Sequence, residues 1–207
     1  MTNTATATLT PTTDQTPAVA EISNELSGAQ WVARFSGSSS SSELTEPLKG
    51  SVDSFIAALT RAGATVIISA TFRPPERAYM MHWSWEIING TNPRSVPPMP
   101  GVNIEWVHAS EAASTQAARA MVNGFGIQNL QVAPSLTSRH TLGQAIDMSI
   151  SWGGNLSIVN AKGETVVISS APRTGMNANL QAVGASYGVV KYVGGDADRP
   201  HWSNDGH

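Results

Sequence analysis

With 207 residues, a formal net charge of -3 and only 13% charged side chains, the chain has no basic surface with which to neutralise phosphates, so nucleic acid is excluded as an expected partner. It contains no cysteine, which excludes disulfides, thiolate nucleophiles and cysteine metal sites and leaves His, Asp and Glu as the residues able to hold a metal. The length suits one domain, or one domain with a tail, large enough to bury a substantial core.

The first twenty residues, MTNTATATLTPTTDQTPAVA, have no Lys or Arg and no apolar run of seven, so they lack the marks of a secretory signal. Their Thr, Ala and Pro content predicts a flexible tail. The serine run from Ser36 to Glu43 (SGSSSSSE) reads as a second flexible stretch, a surface loop or short linker. Together these place a tail or linker over 1–45 and a folded domain over 46–207. No stretch approaches the roughly 18 apolar residues of a membrane span, so a soluble protein with no membrane span is expected.

From Leu48 the pattern turns globular. Val52, Phe55, Ile56 and Leu59 recur at helical spacing before Gly63, which predicts an amphipathic helix with a glycine stop. The apolar, β-branched run TVIISAT over 65–71 predicts a strand. Pro74 and Pro75 suit a helix start, and ERAYMMHWSWEII then runs to Asn89 and Gly90. TNPRSVPPMPG is a loop, and a further helix is expected over about 110–123, ending at Gly124. Strands are expected over 144–151, 156–160 and 164–169, the last two joined as a hairpin through Ala161-Lys162-Gly163. A helix near 176–186 and strands near 188–193 and 200–203 complete the chain. Helices and short strands do not alternate regularly, so the expected class is α+β, with a mostly antiparallel central sheet flanked by helices, rather than doubly wound.

His140 and Asp147 stand seven positions apart in SRHTLGQAIDMSI. Fully extended, that separation is roughly 23 Å and the odd offset sends the side chains to opposite faces. If the two share an ion, the chain must turn between them, and Thr141-Leu142-Gly143 is where it can, with Gly143 free to take a positive φ. Spacing alone favours the plainer reading, with His140 on a surface loop and Asp147 closing a turn.

Ser138, His140, Gly143, Ala145 and Asp147 together spell SxHxxGxAxD, which closely resembles the first zinc-ligand motif of the zinc D-alanyl-D-alanine peptidases of bacterial cell walls. That family includes D,D-carboxypeptidases, D,D-dipeptidases and phage L-alanyl-D-glutamate endolysins, and shares its fold with the Hedgehog signalling domain. Its second element, an acid three residues before a histidine, is matched by Asp198 and His201 in DRPHW. Its third, an arginine between strand and helix, is matched by Arg73 in ATFRPPERA, although Phe72 replaces the usual Tyr. The base position holds Asp where many members have Glu, and Asp196 lies two residues earlier as a rival.

The resemblance covers 73–201 and implies one Zn²⁺ per chain, held by His140, Asp147 and His201. It further implies Asp198 as general base, Arg73 as donor to the scissile carbonyl and the oxyanion, and Ser138 as a substrate contact. The implied fold is Hedgehog/DD-peptidase-like. The implied activity is hydrolysis of peptidoglycan stem peptides or cross-links, by a D,D-carboxypeptidase or an endopeptidase acting as a monomer at the bacterial cell wall. Without a signal peptide, such an enzyme would be delivered by phage lysis machinery or a specialised secretion system. The alternative is a peptidoglycan- or peptide-binding module of the same fold with a structural or lost metal, for which a base and an oxyanion donor have no use.

Other candidates carry less. His82, among Met80, Met81, Trp83 and Trp85, is expected to be packed rather than a ligand. His108 is a candidate for the cleft wall. Glu105 and Trp106 could touch substrate but suit packing better. Trp152 and Trp202 flank the two metal motifs and are expected to shield the site or wall the cleft, and His207 is expected to be unordered.

Overall fold

In the computed structural model, which describes Met1 and residues 23–207, the first element among the described residues is β1 (Glu25–Leu26), followed by a 3-10 turn at Ala29–Trp31. The tail expected over 1–20 lies, Met1 aside, outside the described residues. Helix α1 (Leu48–Arg61) buries Leu48, Val52, Phe55, Ala58 and Leu59 on one face, the periodicity that makes it helical. It stops at Ala62, and Gly63 follows with φ 86°. Strand β2 (Thr65–Ala70) leads to α2 (Pro75–Ile88), whose proline opens the first turn, where no intrahelical N–H is required.

Strand β3 (Ile104–Glu105) precedes α3 (Glu111–Phe125), capped by Ser110 accepting from the Ala113 amide. The helix ends at Gly126 in the left-handed conformation, φ 71°, not at Gly124. Gly124 is interior because it is a packing residue: a Cβ there would lie 2.7 Å from the Val32 side chain. Strands β4 (Ala145–Ser151), β5 (Leu156–Val159) and β6 (Thr165–Ile168), helix α4 (Ala178–Ser186), and strands β7 (Val190–Lys191) and β8 (His201–Ser203) follow. The architecture is α+β. A four-stranded antiparallel sheet has the order β2-β4-β8-β7, β5 and β6 form a hairpin, and β1 pairs with β3 in parallel. Among the described residues no helix is long and apolar enough to cross a membrane.

Two main cores hold these elements. The first lies beneath the four-stranded sheet, where α1, α4 and the hairpin bury Phe55, Leu59, Ile146, Met148, Ile158, Leu180 and Trp202. Each such side chain contributes roughly 1.5–3 kcal/mol through burial. The second joins α2 and α3 through Tyr79, Met80, Ala118 and Met121, and is closed by Trp31, Ile104 and Trp106.

That closure corrects the expected boundary at 45/46. Trp31 is only 2% exposed, and β1 hydrogen-bonds beside β3. The serine-rich stretch is also tied down, since the Thr71 hydroxyl donates to the Ser38 and Ser40 carbonyls at 3.0 and 2.8 Å. A few apolar anchors and long-range backbone bonds order 23–45, features to which local composition is blind.

Candidate metal centre

Two local devices bring His140 and Asp147 together. The chain turns through a 3-10 turn at Arg139–Leu142 and leaves it at Gly143 with φ 64°, the left-handed conformation expected at that glycine. A side chain there would also be blocked, because a Cβ would lie 2.8 Å from the Glu43 carbonyl oxygen. Asp147 then sits on β4 directly opposite His201 on β8. Directly opposed residues of an antiparallel pair share a face, so the sheet register delivers the third member.

The resulting triangle is tight. The His140 Nε2 lies 3.1 Å from Asp147 Oδ1 and 3.2 Å from His201 Nδ1, and His201 Nδ1 lies 3.2 Å from Asp147 Oδ1. Tetrahedral donors at about 2.0–2.1 Å from an ion are themselves about 3.3 Å apart. The outer nitrogen of each ring meets a backbone carbonyl: His140 Nδ1–H donates to Thr71 at 3.3 Å, and His201 Nε2–H to His207 at 3.1 Å. Those bonds select the tautomers whose inner nitrogens carry lone pairs, the outer-shell arrangement of metal-bound histidines. Two lone pairs and a carboxylate then point at one spot and repel unless a cation lies between them. The group His140, Asp147 and His201 is therefore close enough, and of the right chemistry, to hold a metal ion.

The titration behaviour expresses the same demand. Burial raises the Asp147 pKa, but the hydrogen bonds and positive charges of His140 and His201 outweigh it and hold the carboxyl well below its ordinary range. For His201 burial favours the neutral ring, yet the Asp147 hydrogen bond and charge, the His207 carbonyl and Asp198 together push its pKa up. Both shifts favour positive charge beside the Asp147 carboxylate.

A cleft of about 620 Å³ opens over this triangle. Asp198 lines it, half exposed, with Oδ2 3.8 Å from His201 Nδ1. Burial raises its pKa first, and the Asp147 charge adds to the rise. Asp196 does not compete: its side chain is 79% exposed and pairs with Arg199 at 2.8 Å. Arg73 lines the cleft too, its backbone amide donating to the His140 carbonyl at 3.2 Å. Ser138 is a third lining residue, with a buried Oγ that has no hydrogen-bond partner among the described residues.

Several side chains lie elsewhere than expected. Trp202 is not a cleft wall; it is fully buried in the first core against Phe55, with ring centroids 5.7 Å apart, and Trp152 packs on the same core. Both directly follow or lie near the motifs in sequence, but strand alternation turns Trp202 to the face opposite His201. His108 is likewise outside the cleft, 2.9 Å from the Ser27 hydroxyl. Trp106 is buried beside Tyr79, and Glu105 accepts from the Val107 amide. His82 meets the Pro134 carbonyl at 2.8 Å, outside the triangle. His207 is ordered, and it faces the cleft as well as accepting from His201.

Two residues that sequence reading passed over support the centre. Tyr192 lies edge-on to the His201 ring at 5.6 Å. Lys191 is buried and donates from Nζ to the Asp198 and His201 carbonyls at 3.1 and 2.8 Å, which fixes the turn that presents both. A lysine inside an apolar strand pattern was the available signal. The cleft also has an apolar wall, including Ile127, Leu130 and Val132, from a loop without periodicity. No family model matches the chain, and no curated protein or solved structure matches it either.

Proposed function

We propose that the protein is a zinc-dependent peptidase of Hedgehog/DD-peptidase type that cuts peptide bonds in bacterial peptidoglycan. The observation that carries this reading is the meeting of the acceptor triangle with Asp198 and Arg73 in one cleft. Three protein ligands leave a coordination position open, which is the pattern of catalytic sites, and the absence of cysteine favours an ion content with His and carboxylate donors. Bound there, zinc supplies Lewis acidity and lowers the pKa of water.

The chain's own residues supply the rest. Asp198 accepts a proton from the attacking water and returns it to the leaving amine, and its raised pKa brings it nearer to neutral working pH than an ordinary carboxylate. Arg73 offers a permanently charged, planar donor to the scissile carbonyl as negative charge develops on its oxygen. Lys191 and the carbonyls of Thr71 and His207 hold Asp198, His140 and His201 in place. The wall is the place of action in this reading, stem peptides the partners, and a monomer the working unit.

The test is to incubate the zinc-loaded chain and its Asp198→Ala variant with purified peptidoglycan and identify released fragments by mass spectrometry. Release of a terminal D-alanine identifies a carboxypeptidase, and a cut inside the stem or cross-bridge an endopeptidase. Either product should disappear with Asp198→Ala. A zinc-loaded protein that releases nothing overturns the reading in favour of a binding module.

A further inference from the structure

The cleft continues past Arg73. A second cavity of about 390 Å³ adjoins it, and Arg73 and Met81 line both. Its walls come from the serine-rich loop at Ser38 and Ser39, the end of β2 at Ser69, and Arg77 in the first turn of α2. The loop runs close against the chain beyond β2: Ser38 and Phe72 bridge, and a Cβ on Gly37 would lie 2.8 Å from the Phe72 carbonyl oxygen.

Two arginines therefore line one cavity. Among the described residues neither Arg73 nor Arg77 has an acidic side chain within salt-bridge distance. Arg77 is also held in place. Its Nη1 donates to the Val32 carbonyl at 3.0 Å, and its guanidinium sits over the Phe125 ring at 4.9 Å, leaving its other N–H groups without hydrogen-bond partners among the described residues. Burial, and then the Arg73 charge, lower the Arg77 pKa, yet arginine stays protonated. A half-buried pair of like charges, prepositioned and bordered by hydroxyls, is stabilised by an anion that fits the planar fork.

We propose that this cavity is a subsite for a carboxylate of the substrate, gripped by Arg77 at the far side of Arg73 from the metal triangle. The inference rests on the peptidase reading and narrows its substrate class to peptides with a free carboxylate near the scissile bond. It also gives the cleft a direction. The acidic part of the substrate lies toward Arg77, and an uncharged part lies along Ile127, Leu130 and Val132.

The experiment is calorimetric binding to the full-length, zinc-loaded chain carrying Asp198→Asn to prevent turnover. The probes are acetyl-L-alanyl-D-glutamate and the same dipeptide with both carboxylates amidated. The acid should bind about 10- to 100-fold more tightly than the amide, the range of a charge-assisted pair. Arg77→Gln should abolish that preference, while Arg77→Lys, which keeps the charge and much of the packing, should retain part of it. Equal affinity for the two probes, or a preference that survives Arg77→Gln, overturns the subsite, as does an equal loss of both probes in both variants. A wild-type chain that cleaves no wall peptide but shows the Arg77-dependent preference removes the peptidase reading and leaves the subsite standing. Cleavage without that preference does the reverse.

Discussion

The two cores of the molecule make different demands on the cleft between them. The first sets the face of the candidate metal centre by strand register: Asp147 and His201 face each other across β4 and β8, with Trp202 and Phe55 packed behind them. The second, between α2 and α3, contains none of the three candidate ligands, while Met81 and Arg77 on α2 line the cavities, Met81 both of them and Arg77 the second. If the triangle binds a metal and the cavities bind substrate as proposed, the two properties rest on separate packing units, and changes in one should be measurable apart from the other.

The largest effect that separates them is His140→Ala. Zinc affinity should fall well beyond the roughly 100-fold that loss of an outer hydrogen bond costs, read by competition with a chelating dye, while the fold persists by circular dichroism. A variant that keeps zinc at full stoichiometry would remove His140 from the ligand set.

Next come the cores. Phe55→Ala should destabilise the protein by about 3–5 kcal/mol and Met121→Ala by about 2–5 kcal/mol, measured by urea unfolding. Only Phe55→Ala should also weaken zinc binding, because its partner Trp202 adjoins His201. Met121→Ala should leave it within a factor of about 2, as distant sites do. Comparable loss of zinc affinity in both variants would show a single cooperative unit.

Gly143→Ala should cost about 1–3 kcal/mol through its left-handed φ and the contact with the Glu43 carbonyl. It should lower zinc affinity with it, since it displaces the turn that carries His140. Retained affinity would mean that the turn adapts.

Proton competition is a milder lever. The His201 pKa is raised, so its proton is present up to a higher pH than an ordinary histidine's value of about 6.5. Zinc affinity should therefore begin to fall above that value as pH decreases, by at most about tenfold per unit for one proton displaced. A titration flat between about pH 8 and about pH 5 would contradict His201 as a ligand.

The smallest effect belongs to Arg139 and Asp205, an exposed ion pair joining the His140 turn to the segment beyond β8. Asp205→Asn should change stability by about 0–1 kcal/mol. A larger change would show that the terminal turn, whose His207 carbonyl meets His201, is part of the metal support.

Much of this was legible in the sequence, and the reasons are local. The helical spacing of Val52, Phe55, Ile56 and Leu59, the β-branched run after Ala64 and the hairpin at Gly163 announce elements whose driving force is burial of nearby side chains. The triangle was legible for a different reason: spacing allowed a turn at Gly143, but it was the resemblance of SxHxxGxAxD and DRPHW to a zinc-ligand pattern that joined His140, Asp147 and His201. What failed depended on distant partners. Ser38 and Ser40 look like linker until the Thr71 hydroxyl binds their carbonyls, and Trp202 looks like cleft wall until strand alternation turns it inward.

By itself, then, the sequence determined the α+β class and most elements, because periodicity is a property of short stretches, and it named His140, Asp147 and His201 as partners through the resemblance their motifs carry. Only the tertiary structure decided that three acceptor atoms meet within 3.2 Å, that Asp198 rather than Asp196 faces them, and that Arg77 joins Arg73 around a second cavity. Those are facts of register and of packing between segments far apart in the chain, which no local pattern specifies.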